Sequence, residues 1–226
     1  MVVDQSSPRQ GHPTLPQGSV APARAYRRTP DGDSSPRRRK HTVAAILVAG
    51  YLAAAAVAVV VHDALRMPTW LALHLLALGA ASNAVLVYSR HFAQALLHAG
   101  PGPQWPAHAR LAGFNLGAVA VLSGMSTGVS WLAVAGAAVV VVAVLGHTAS
   151  LVAMVRRATL TGRLRVVAWY YVAAGVSLAV GATLGGLMAG GTMHTEPWQE
   201  SVRLAHAHLN LLGWLGLAVV GTQFML

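Results

Sequence analysis

The chain has no cysteine, which excludes disulfides, thiolate metal ligands and iron–sulfur clusters. Acidic residues are nearly missing too. There are six Asp and Glu in 226 residues, and none lies between Asp63 and Glu196. Charged residues of both signs reach only 10%, against about 25% in an ordinary soluble domain. A water-facing globule of this size is therefore not expected. The first 40 residues lack any apolar period. They are rich in Pro, Ser, Gly, Gln and Arg, cannot bury a core, and are expected to form a disordered basic cytoplasmic tail over 1–40. The tail is basic over too great a length for a signal-peptide n-region, and no A-x-A-like site follows the first apolar block.

What the chain does have is apolar sequence in long blocks: 55% of its residues are hydrophobic. Blocks of roughly 20 residues match the hydrocarbon thickness of a bilayer. The expected fold is all-α, a polytopic integral membrane bundle of six transmembrane helices at about 42–62, 69–90, 109–128, 131–155, 166–189 and 203–226. The formal net charge is +10, yet its placement points to topology rather than to nucleic acid. With the N-terminus inside, 14 of the 16 Lys and Arg fall on the cytoplasmic side, the "RRRK" run at 37–40 included. Only Arg66 and Arg203 fall outside, where Asp63, Glu196 and Glu200 also lie. This is the positive-inside pattern. Three pairs of glycines, Gly113 and Gly117, Gly124 and Gly128, and Gly181 and Gly185, are spaced for close helix contact.

One segment is echoed. "HLLALGAASNAVL" at 74–86 and "HLNLLGWLGLAVV" at 208–220 agree at six of 13 positions without a gap, at an offset of 134 residues, or four spans. A four-helix repeat would put His74 and His208 at equivalent places, and repeats are frequent in membrane folds.

The histidines carry the chemistry. Ionisable groups within a span are costly and mark functional sites by default. His74 lies about 6 Å below the outer boundary, and His206 and His208 about 5 to 8 Å, at 1.5 Å per residue. Three imidazoles on two helices thus share one layer, with His62 and His194 in the loops above. Neutral imidazole is a good ligand for haem iron, copper and zinc. Residues i and i+2 of a regular helix point about 200° apart, so His206 and His208 cannot chelate one ion and must serve different neighbours. One of them facing His74 would make a bis-histidine haem site. The alternative is a set of separate polar contacts between helices. His147 is expected to bond a backbone group or a Ser/Thr. Asn83, Asn115 and Asn210 read as interhelical hydrogen-bond glue, Asn210 also as an outer-shell partner that fixes a ligating imidazole.

"HAHLNLLGWLGL" resembles the signature of small bacterial membrane proteins similar to subunit I of the haem–copper oxidases and nitric oxide reductases, whose actinobacterial relatives are labelled copper-oxidase or copper-nitrite-reductase-associated. "LHLLALGAASNAVLVYSRHFAQALL" at 73–97 resembles the second-helix region of the same group. The resemblance covers most of residues 43–226. It implies a fold of twelve helices in three arcs of four, of which these six would be half, so that the chain would be part of a longer four-helix-repeat architecture. It also implies axial haem ligation by His74 and by the HxH pair, the two members of that pair serving different haems. The three copper-ligating histidines and the histidine pair of a complete oxidase do not occur. The expectation is therefore a bacterial inner-membrane protein binding haem b or copper through His74, His206 and His208 near the outer face. It would work in electron transfer with a copper redox protein or a quinol, as an oligomer or beside a further subunit. The alternative function is metal or haem delivery, or oxidase assembly, without catalysis. A third, a transporter, is disfavoured because no carboxylate falls within a span.

Overall fold

Proline at the first helical position and a run of good helix formers start the first helix earlier than the apolar block alone suggests. In the computed structural model of the protein, α1 spans Pro36–Val60, so residues 36–40 belong to a helix and not to the tail. The structure describes residues 36–99, 103–158, 163–192 and 198–224, all within the compact unit Ser35–Leu226. The expected disordered segment up to residue 35 lies outside the described residues.

The described residues contain helices and no strand. After α1 and a short 3₁₀ turn at His62–Ala64 come α2 (Pro68–Leu96), α3 (Trp105–Thr127), α4 (Ser130–Arg157), α5 (Arg163–Ala189) and α6 (Trp198–Gln223). Five of them are long and apolar enough to cross a membrane: Thr42–Val60, Pro68–Leu96, Ser130–Arg157, Arg165–Ala189 and Trp198–Gln223. The remaining helix, α3, has 23 residues, enough for roughly 34 Å. It is less apolar because His108, Arg110, Asn115 and two serines interrupt it. Large apolar side chains such as Val57, Val60, Leu116 and Val142 stand exposed around the bundle, a surface that suits lipid and not water.

Antiparallel succession follows from close contacts between backbones. A Cβ on Gly117 of α3 would lie 2.7 Å from the carbonyl oxygen of Gly136 on α4, and one on Gly136 would lie 2.7 Å from that of Gly117. Nearer the turn, Gly124 meets the nitrogen of Ala133 in the same way. Gly128 faces no neighbouring helix; the Arg66 guanidinium occupies the space beside it. It ends α3 in the left-handed conformation at φ 80°, where a residue without Cβ is favoured. On α5, Gly186 faces Ala137 of α4, while Gly181 and Gly185 face α6. Phe114, Val140, Val144, Leu151, Leu178 and Trp214 fill the core between these helices.

Polar side chains lock α2 to its neighbours. Asn83 and Asn115 exchange amide hydrogen bonds of 3.0 and 2.8 Å. Ser89 Oγ and His147 Nε2 share a buried one of 3.1 Å. Trp214 Nε1 on α6 donates to Ser82 Oγ at 2.9 Å. The carbonyls of Ala77 and Gly79 accept from Ser82 and Asn83. Asn83→Ala removes the amide pair and leaves Asn115 only its bond to the Leu111 carbonyl, and the usual worth of such a membrane hydrogen bond is about 0.6 to 1.7 kcal/mol. The expected outcome is a melting temperature lowered by about 1 to 7 °C in detergent, taking about 2–4 °C per kcal/mol for a chain of this size.

Candidate functional site

Each of the two echoed segments contains a π-helical stretch. In α2 the wide turns run over Leu75–Ala81, and in α6 over Leu209–Gly216. They begin one residue after His74 and one residue after His208, at the 134-residue offset of the sequence echo. Within each, a glycine admits a neighbour. The ring of Tyr51 on α1 occupies the space that a Cβ of Gly79 would need, and Ser177 on α5 sits 2.6 Å from a Cβ placed on Gly213. Single-turn π-bulges inside α-helices gather at functional sites. Here two longer ones follow histidines.

The two helices bring His74 and His206 together. Their ring centroids are 6.3 Å apart and their planes differ by 17°. Both rings are partly buried. His74 Nδ1 lies 2.8 Å from the carbonyl of Trp70, one turn earlier, and the indole of Trp70 stacks on the ring at 4.0 Å. His206 Nδ1 lies 2.8 Å from the carbonyl of Gly181 on α5. A carbonyl only accepts, so Nδ1–H is the donor in both rings, and in a neutral imidazole the lone pair is then on Nε2. Both histidines therefore present the tautomer that ligates through Nε2.

α5 shapes the seat of His206. A Cβ on Gly185 would approach its Cε1 to 2.8 Å, and one on Gly181 would approach Asn210 Nδ2 to 2.6 Å. The Gly181/Gly185 notch thus receives the His206 and Asn210 side chains, which lie one helical turn apart. Asn210 Nδ2 donates to the His206 carbonyl at 2.7 Å and lies 3.2 Å from His206 Nδ1.

His208 takes no part in this pair. It is exposed, and its Nδ1 donates to the Leu204 carbonyl at 2.7 Å, which again leaves the lone pair on Nε2. His62 engages both nitrogens, with the Val59 carbonyl at 3.2 Å and with Asp63 at 3.1 Å. His194 and Glu196 lie outside the described residues. Arg203 pairs with Glu200 on the first turns of α6. Trp70, Gly181 and Gly185 are partners of the histidines that the sequence does not identify as such. The glycine spacing on α5 is the one visible signal for them.

The donor set can be tested against a metal. Metal–nitrogen bonds of about 2.0–2.1 Å on either side set two imidazole centres roughly 6 Å apart, close to the 6.3 Å between His74 and His206. Among the described residues, no group of three or more His, Cys, Asp or Glu is gathered to hold a metal ion. No family model matches the chain, and neither a curated protein nor a solved structure matches it.

Proposed function

We propose that this is a six-span protein of the bacterial inner membrane, with its N-terminus in the cytoplasm, that holds haem b between His74 and His206 for electron transfer. The observation that carries this is the pair itself: two nearly parallel imidazoles from separate helices, 6.3 Å apart, each with Nδ1–H committed to a carbonyl. Two protein nitrogens suit iron whose other ligands come from a macrocycle. A bare zinc or copper ion normally takes three or four protein ligands, which makes copper the weaker assignment for this pair. The resemblance to haem–copper oxidase subunit I around 73–97 and 206–217 supports the same reading, as does the repeat marked by the two π segments. α3 counts as a span because it is long enough and packs backbone to backbone against α4. The positive-inside count of the sequence, which assigns 14 of the 16 cations to the inner side, supports the orientation.

His74 and His206 would hold the haem through Nε2, and the haem would supply a one-electron couple. The chain's own contribution is orientation. The Trp70 and Gly181 carbonyls hold the tautomer and the orientation of the rings. Trp70 covers one face of His74. Asn210 fixes the backbone that carries His206. A copper redox protein or a quinol would exchange the electron.

Reduced-minus-oxidised spectra of the protein purified in detergent, with elemental analysis for iron and copper, test the reading. Sharp low-spin haem bands are the expected result. Preparations from cells supplied with haem that show neither haem nor bound metal would refute it, and haem bound without redox turnover would favour a delivery or assembly protein. Asn210→Ala should keep the fold but lower haem affinity about 10-fold, at the lower end of what loss of an outer-shell partner costs, as read by haem titration of the apoprotein.

A further inference from the structure

The end of the bundle away from the imidazole pair is uniformly basic. α2 finishes there, α3 begins, α4 finishes and α5 begins. Between them they carry Arg90, Arg110, Arg156, Arg157, Arg163 and Arg165, with no carboxylate anywhere between Asp63 and Glu196. Arg90 and Arg110 stand apart from the others, because packing and not mere proximity to a loop brings them together. Arg90 follows Ser89, whose hydroxyl is bonded to His147 on α4. Arg110 lays its stem against Gly146, the residue before His147; a Cβ there would meet Arg110 Cδ at 3.1 Å. Three helices thus meet at the level of His147, and the charges of Arg90 and Arg110 are near enough to repel one another. The Nε of Arg110 is buried and has no hydrogen-bond partner, and the same holds for Arg165 on α5.

Two like charges held together, one with an orphaned buried donor, are costly in a low-dielectric setting unless an anion joins them. No acidic side chain among the described residues is paired with either. Each arginine is six residues or fewer from the end of its helix, hence within roughly 9 Å of it. That is the depth of the boundary between headgroup and acyl chain. A guanidinium fork matches phosphate oxygens in pairs.

We infer that Arg90 and Arg110 form a binding site for a phosphate group, supplied by an anionic phospholipid or by free phosphate. The site is independent of any cofactor held by His74 and His206.

Thermal unfolding of the full chain in detergent tests this, with phosphatidylglycerol, phosphatidylcholine or inorganic phosphate added separately. Ligand that binds the folded state raises the melting temperature by mass action. Phosphatidylglycerol is expected to raise it by several degrees more than phosphatidylcholine. Arg90→Gln and Arg110→Gln should each remove most of that difference, and Arg110→Lys should restore part of it. Protection by inorganic phosphate that is lost in the same variants also supports the site and identifies a free anion as its source. Equal responses to the two lipids with none to phosphate would overturn it. So would an unaltered response in Arg90→Gln, or a loss in Arg156→Gln/Arg157→Gln as great as in the Arg90 and Arg110 variants.

Discussion

Alanine at position 206 is expected to abolish the low-spin haem spectrum, as is alanine at position 74, while His208→Ala leaves it in place. The asymmetry within one HxH motif is the point. His206 and His208 have the same chemistry and the same protonated Nδ1, yet only His206 stands 6.3 Å from His74. Loss of an outer-shell partner costs about 10–100-fold in affinity, and loss of a ligand should exceed that. The measurement is the reduced-minus-oxidised spectrum of each variant purified alongside the parent, with iron content per chain. The fold should survive, because neither ring belongs to the fully buried core. Unchanged bands in His206→Ala, with loss in His208→Ala, would reverse the assignment.

The second large effect is on stability. Gly117→Val should lower the melting temperature sharply, and so should Gly136→Val. A Cβ on Gly117 meets the Gly136 carbonyl at 2.7 Å and the Val140 nitrogen at 2.9 Å. These are backbone atoms that cannot rotate away, so α3 and α4 must part. Overpacking of a tight core costs about 1–3 kcal/mol, and more where the backbone is rigid. At about 2–4 °C per kcal/mol that is a fall of roughly 2–12 °C, toward the upper end because the clash is with backbone. Since the two glycines share one contact, the double variant should lose less than the sum of the singles. Gly50→Ala is the control. Nothing lies within 4 Å of its Cβ, and replacing a helical glycine should stabilise by about 0.5–1 kcal/mol. Melts followed by circular dichroism separate these outcomes.

Much of the architecture can be read from hydropathy alone. Unbroken apolar blocks have to be helices in lipid, since no other open structure satisfies their backbones. Helix ends are less legible. Hydropathy stops α2 at Arg90, yet the helix runs on to Leu96, because Ala93 and Leu96 continue its buried face. The π segments cannot be foreseen, as nothing in "LLALGAA" or "LNLLGWLG" announces a wider turn. Across them, a wheel drawn at 100° per residue falls out of phase. For that reason the partner of Ser82, Trp214, is out of reach at a separation of 132 residues. At the site, the opposed directions of residues i and i+2 separate His206 from His208 in the sequence. They do not say which of the two faces His74. That depends on the Gly181/Gly185 notch of a third helix, a tertiary fact.

The imidazole pair and the arginine pair mark opposite ends of the bundle, with 16 positions of α2 between His74 and Arg90, roughly 24 Å at helical rise. If the proposed haem sits between His74 and His206, its electron would lie far from one aqueous phase and near the other. Donor and acceptor would then meet the protein on the same side, and such a relay would shuttle reducing equivalents along the surface without building a voltage across the membrane.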